Sequence, residues 1–312
     1  MTNPTPSNVS SLIKPRTANR EPRTKNTTMP HILSCTDGSL YAPSVYQHSA
    51  WAAARMSVGV KVLHVLDPHR ELAHGGDLTG AIGFDASAEL TEELVKLEET
   101  QARLARLKGK AILEDAAKQL AAVGITSVET LQRHGTLVDT LEELEPAAEL
   151  VVIGKRGEHC DFDKGHLGGE LQRVIRTSVR PVLVASRAFK PIERFLIAYD
   201  GGPSVLKAVD FVLNNPLLKG LHCHILRAGK VDDNARYYLE ETAQKLRTAG
   251  FTVISAAESG SPEQIIASVV KSSQIDLLVM GAYGHSPIRQ LILGSTTTTM
   301  VRTCQIPVLM FR

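Results

Sequence analysis

The chain has 312 residues, enough for two domains of ordinary size. Its 43% hydrophobic and 22% charged residues place it among globular proteins rather than disordered or fibrous ones. A formal net charge of +2 gives no reason to expect a nucleic-acid partner. Cys35, Cys160, Cys223 and Cys304 are dispersed with no C-x-x-C pair, which argues against a disulfide framework and fits a reducing, cytoplasmic setting. No apolar run approaches the roughly 20 residues that cross a bilayer, so no membrane partner is expected.

Residues 1–28 are rich in Pro, Ser, Thr and Asn, carry Lys14, Arg16, Arg20, Arg23 and Lys25, and lack the apolar region of a secretory signal. Such a segment buries too little apolar area to offset its ordering entropy, and it reads as a disordered basic tail, either a solvated extension or an electrostatic tether. An apolar strand then runs from Ile32 into an Asp37-Gly38 turn, followed by a helical segment and a second strand, Val60–Leu66. After a Gly-rich loop over 69–84, Leu90, Leu94, Leu97, Leu104 and Leu107 mark a long amphipathic helix running toward Leu120. At about 1.5 Å per residue it outreaches a five-stranded core, either to cover a neighbouring domain or subunit or to extend into solvent. Leu150–Gly154 is a buried strand, and a Pro-Val-Leu strand starts at Pro181.

The plan then repeats. Arg194–Tyr199 leads into Asp200-Gly201; a helix over Val205–Leu213 and a strand over Leu221–Leu226 follow. Asn234–Ala249 reads as a helix closed by Gly250, and Phe251–Ala256 as a strand. Pro262–Lys271 is a helix with Ser261 as N-cap, Leu277–Met280 a strand, Thr296–Arg302 a helix, and Pro307–Phe311 the last strand. Strands alternating with helices require right-handed crossovers and parallel sheets, so the chain is expected to hold two α/β domains, 29–188 and 192–312.

In such sheets ligands sit beyond the carboxyl ends of the strands. In the second half those ends hold Asp200-Gly201-Gly202 and a loop from Gly281 through Gly284 and His285 to Gly294, Ser295, Thr296 and Thr297, where a helix begins. Glycines admit close backbone approach, and a helix start offers free N–H groups and a favourable dipole to an anion. Asp200 is placed to accept from ribose or an adenine amino group, Ile225 to pack on a base, and His285 to meet a phosphate. No G-x-x-x-x-G-K-[ST] loop and no catalytic set stands out.

The spacing Gly281-x2-Gly284-x9-Gly294-Ser295 resembles the nucleotide-binding motif of the universal stress protein family. The Asp-Gly turns and Pro-Val-Leu endings of both halves resemble it as well, over nearly all of 29–312. The resemblance implies two tandem five-stranded parallel α/β sandwiches packed about a pseudo-two-fold as an intramolecular pseudo-dimer. It implies ATP, ADP or AMP, with Mg2+, in the C-terminal half. Asp200, Gly201 and Ile225 would lie at the base and ribose end, and Gly281, Gly284, His285, Gly294, Ser295, Thr296 and Thr297 at the ribose and phosphates. A stress-response regulatory module follows; the alternatives are a weak ATPase or self-phosphorylating enzyme and a nucleotide-free interaction scaffold. A further homodimer and an unidentified protein partner belong to the same expectation.

The first half departs from the motif. Its loop reads Gly154-x2-Gly157-x10-Gly168, with Gly169 in place of Ser295 and Glu170 in place of Thr296. A carboxylate beside phosphate is repelled by roughly 4 kcal/mol at 4 Å when the effective dielectric constant is near 20, so a degenerate site is expected unless Glu170 points outward. His159, Cys160, Asp161, Asp163 and His166 share one loop and are candidate metal ligands, but their spacing matches no closed zinc pattern, and a solvated loop is the preferred reading. His64 and His224 are taken as matching positions in the two repeats.

Overall fold

The structure, a computed structural model, describes residues 29–67, 87–155, 169–283 and 293–312, with backbone alone for 87–90. The tail, the Gly-rich loop and the metal candidates lie outside the described residues. The first half runs β1 (His31–Cys35), α1 (Ala42–Met56), β2 (Gly59–Leu66), α2 (Ser87–Ala122), β3 (Val128–His134), α3 (Leu137–Leu144), β4 (Ala148–Gly154), α4 (Gly169–Thr177) and β5 (Val182–Ala185). The second runs β6 (Arg194–Ala198), α5 (Pro203–Asn214), β7 (His222–Gly229), α6 (Asp233–Thr248), β8 (Val253–Ser259), α7 (Pro262–Ser272), β9 (Leu277–Gly281), α8 (Ser295–Thr303) and β10 (Val308–Phe311). The order is the alternation of strand and helix expected from the sequence.

All ten strands join one sheet in the order β3-β2-β1-β4-β5-β10-β9-β6-β7-β8. Every neighbouring pair is parallel except β5 and β10, which meet antiparallel with Leu309 opposite Leu183. Read from either edge, the order visits equivalent strands of the two repeats, which is a pseudo-two-fold through the β5–β10 joint. The two parallel sheets are therefore continuous, edge to edge. Because the joint is antiparallel, the carboxyl ends of the strands point in opposite directions in the two halves.

Successive strand residues face opposite layers, as the period of two requires. Ile32, Phe195 and Ile197 pack under α1, α2, α5 and α6 with Val45, Leu113, Val205 and Leu246. Leu33, Val151 and Leu196 pack under α3, α4, α7 and α8 with Leu141, Ile175, Ile266 and Val301. Each layer crosses the joint unbroken, so the strand edges that each half alone would expose are covered.

The paired helices α2 and α6 stop in the same way. Gly124 (φ 91°) and Gly250 (φ 93°) are left-handed, and the next amide, of Ile125 or Phe251, donates to the carbonyl of Leu120 or Leu246, both at 3.1 Å. Phe251 is thereby turned into the core, edge-on to Phe195 at 6.0 Å. This shifts the start of β8 to Val253, two residues later than the apolar pattern suggests. Among the described residues no helix is long and apolar enough to cross a membrane.

Candidate functional site

At the end of β6, Asp200 Oδ1 accepts from the Gly202 amide at 2.8 Å, and Gly201 between them is left-handed at φ 78°. The first repeat builds the same turn: Asp37 Oδ1 accepts from Ser39 N at 3.0 Å around Gly38 at φ 73°. A side chain with Cβ is strained at such a φ, which is why both turns spell Asp-Gly. The Arg227 guanidinium, at the end of β7, donates to the Asp200 carbonyl and holds the turn against that strand. Arg227 was not legible as a site residue, because nothing local to β7 points to the carbonyl it meets.

Ile225 does not reach this mouth. It is 1% exposed, pairs with Ile197 inside the sheet, and belongs to the core layer under α5 and α6. A base-packing role for its side chain is corrected accordingly, and the strand residues nearer the rim are Arg227 and Ala228. The register also corrects the histidine match. Leu63 and Leu226 occupy equivalent places opposite Cys35 and Ala198, so His64 corresponds to Arg227, not to His224. Both keep a loop carbonyl occupied: the His64 Nδ1 lies 2.9 Å from the Thr36 carbonyl.

The two ends of the glycine-rich loop come together. The Thr297 hydroxyl donates to the Gly281 carbonyl at 3.1 Å, and the Gly294 amide to the Ala282 carbonyl at 3.3 Å. Gly294 is the N-cap of α8, with φ −56° and ψ 144°, and its carbonyl accepts from Thr298 N at 2.8 Å. The amides of 295–297 are first-turn groups without an intrahelical acceptor, so the positive end of α8 abuts the end of β9. A Cβ on Gly281 would stand 2.8 Å from Ser204 Cβ and 3.2 Å from Val205 N, so glycine is required for α5 to pack there. Gly284 and His285 lie outside the described residues.

The hydroxyls are not all open to a ligand. Ser295 is exposed, Thr297 is committed to Gly281, and Thr296 Oγ1 donates to Glu263 Oε1 at 2.6 Å. The Thr296 hydrogen bond holds the Glu263 carboxyl below its usual value of 4.5, helped by its own backbone amide and by the Ser261 hydroxyl, and opposed by burial. Ser261 is the N-cap residue of α7, as expected, but its hydroxyl donates to Glu263 Oε2 at 3.1 Å and caps no backbone amide. Tyr283, inside the loop, donates its hydroxyl to the Arg176 carbonyl of α4 at 3.1 Å, which ties this loop to the first half.

The mouth of the first half differs. Glu170 sits half-buried in the first turn of α4, near enough to Cys35 to help raise its thiol, which burial chiefly and Glu145 next push up to about 12. Ile112 of α2 packs on Gly38, its Cδ1 2.5 Å from where a Cβ would stand. The repeat alignment of Gly135-Thr136 with Gly260-Ser261 places Val138 where the second half has Glu263. Among the described residues each mouth thus adds to its Asp turn a helix carboxylate beside the start of α4 or α8, supplied by α4 in one and α7 in the other. Gly157 and Gly168 lie outside the described residues. Among the described residues no group of three or more His, Cys, Asp or Glu is arranged to hold a metal. A shallow groove of about 590 Å³ is lined by Tyr237, Glu240, Glu241, Gln244, Lys245 and Thr248. It follows one face of α6 rather than the strand ends.

The comparisons with known proteins agree with this architecture. Residues 29–186 and 191–312 each match the universal stress protein family. The chain is 40% identical over 287 residues, 91% of its length and 100% of the relative's, to universal stress protein Slr1230 of Synechocystis. Its fold is similar to a universal stress protein of Archaeoglobus fulgidus with TM-score 0.68 at 19% identity, covering 90% of this chain and 96% of that one. It is also similar to a functionally unknown protein, PA1789, of Pseudomonas aeruginosa with TM-score 0.57 at 16% identity, covering 91% and 93%. With two copies of the family domain joined through β5 and β10, the chain belongs to the universal stress protein family.

Proposed function

We propose that the second half binds an adenine nucleotide, ATP or its di- and monophosphates, with Mg2+ accompanying the phosphates, and that the protein acts as a nucleotide-dependent regulatory module in stress response. One observation carries this reading: the two ends of the glycine motif are hydrogen-bonded together, with the start of α8 set against the end of β9. A helix start of that kind favours an anion, and the Asp200 turn lies at the end of the neighbouring strand β6 for the ribose or base. Nucleotide ordering the 281–294 loop would act on the first half through Tyr283 and the Arg176 carbonyl.

The competing reading, a nucleotide-free scaffold, draws on the Thr296 and Thr297 hydroxyls, which already have protein partners. Mass spectrometry of small molecules released from purified protein, with calorimetric titration of ATP, ADP and AMP, separates the two. The nucleotide reading expects saturable binding that is lost in a Gly284→Val/Gly294→Val variant. Blank titrations with all three nucleotides, and none released, overturn it.

A further inference from the structure

The long helix α2 enters the body of the protein only in its second half. Leu113, Ala116 and Leu120 are buried, and among the described side chains Gly109 is the first buried position, pressed close to Gln132 and His64. From 91 to 108 no residue is buried, a length of about 27 Å at 1.5 Å per residue. Yet this stretch is not polar all round. Val95, Leu97, Leu104 and Leu107 are 48%, 51%, 57% and 55% exposed, and Leu94 is half-buried. Leu94, Leu97 and Leu104 repeat at the 3-and-7 spacing of a helix seam, interrupted at Gln101.

The charge along the same stretch is divided into two blocks of opposite sign. Residues 89–99 hold Glu89, Glu92, Glu93, Glu98 and Glu99 against Lys96, a net of −4. Residues 103–110 hold Arg103, Arg106, Lys108 and Lys110, a net of +4. A second α2 laid parallel and in register sets like charge on like. Laid antiparallel about a two-fold near residue 100, it sets each acidic segment against the other's basic segment and Leu97 beside Leu104. The helix is thus complementary to its own reverse, as an isologous contact requires.

We propose that two copies of this chain associate through an antiparallel pairing of α2 over residues 91–108, distinct from the β5–β10 joint that is already satisfied within each chain. Light scattering at about 100 μM is expected to give twice the 33.8 kDa chain mass. A Leu97→Glu/Leu104→Glu variant, altered only at exposed positions and checked for native circular dichroism, is expected to give the single-chain mass. Two further variants, Glu92→Lys/Glu93→Lys/Glu98→Lys/Glu99→Lys and Arg103→Glu/Arg106→Glu/Lys108→Glu/Lys110→Glu, should each lose self-association by at least tenfold and regain it on mixing. In a Leu97→Cys/Leu104→Cys variant the oxidised cross-link should join 97 to 104 of the partner. A monomeric wild type, a dimer that survives Leu97→Glu/Leu104→Glu, or a 97-to-97 cross-link each overturns the proposal.

Discussion

The Thr296 hydroxyl, in the first turn of α8, is hydrogen-bonded at 2.6 Å to Glu263 Oε1, in the first turn of α7. A carboxylate therefore stands where the proposed site receives phosphate. Replacing Glu263 by Gln removes the charge and keeps the shape. For ATP without divalent cation the expected gain is about tenfold in affinity, since 1.4 kcal/mol is a factor of ten and close like charges repel by more than that. With Mg2+ present the gain should shrink. Titration calorimetry in EDTA and in Mg2+ measures both; equal affinities for wild type and variant in EDTA would refute the role.

The same contact has a defined acid limit. The folded-state pKa of Glu263 lies below 4.5, so its stabilising contribution is complete above that value and is lost as pH falls through the depressed one. In a pH series of NMR spectra the Glu263 carboxyl should titrate below 4.5, and in a Thr296→Val variant it should move back toward 4.5.

Gly281 is constrained by packing as well as by any ligand. A Cβ there meets Ser204 Cβ at 2.8 Å and the Val205 backbone nitrogen at 3.2 Å, so the start of α5 would have to shift. Gly281→Ala is expected to cost about 1–3 kcal/mol of stability by urea denaturation, the usual range for overpacking. An unchanged midpoint would show that α5 yields at Ser204.

Buried thiols should be inert. Burial pushes Cys35 and Cys223 up to about 12, so almost no thiolate is present at pH 8. Iodoacetamide at pH 8 should leave both unmodified in the native protein and alkylate both in urea, as read by peptide mass spectrometry. Native labelling of either would mean that its strand end opens.

His48 is 0% exposed, its Nδ1 2.7 Å from the Ser44 carbonyl, its ring edge-on to Phe189, and its Nε2 buried without a partner. Burial lowers its pKa from 6.5, partly offset by the Ser44 contact. The unfolded chain then binds the proton first. Stability should be level above pH 6.5 and fall below it, by at most about 1.4 kcal/mol per pH unit, until the lower folded value is reached. His224 is shifted the same way, so His48→Leu should reduce the slope of urea midpoint against pH between 7.5 and 5.5 rather than abolish it.

What the sequence determined by itself was whatever a short stretch of backbone demands. The Asp37-Gly38 and Asp200-Gly201 turns, the stop at Gly250, the strand–helix alternation and the length of α2 depend on local φ preference and on apolar period, and each is visible in a few adjacent residues. The tertiary structure alone decided the contacts between distant residues. Strand register buried Ile225 and matched His64 with Arg227; packing of α7 beside α8 brought Glu263 to Thr296; and the antiparallel edge of β5 and β10 turned the two mouths in opposite directions. Such pairings are selected by the burial of whole faces, and no local pattern of residues encodes which partner a face or an edge will find.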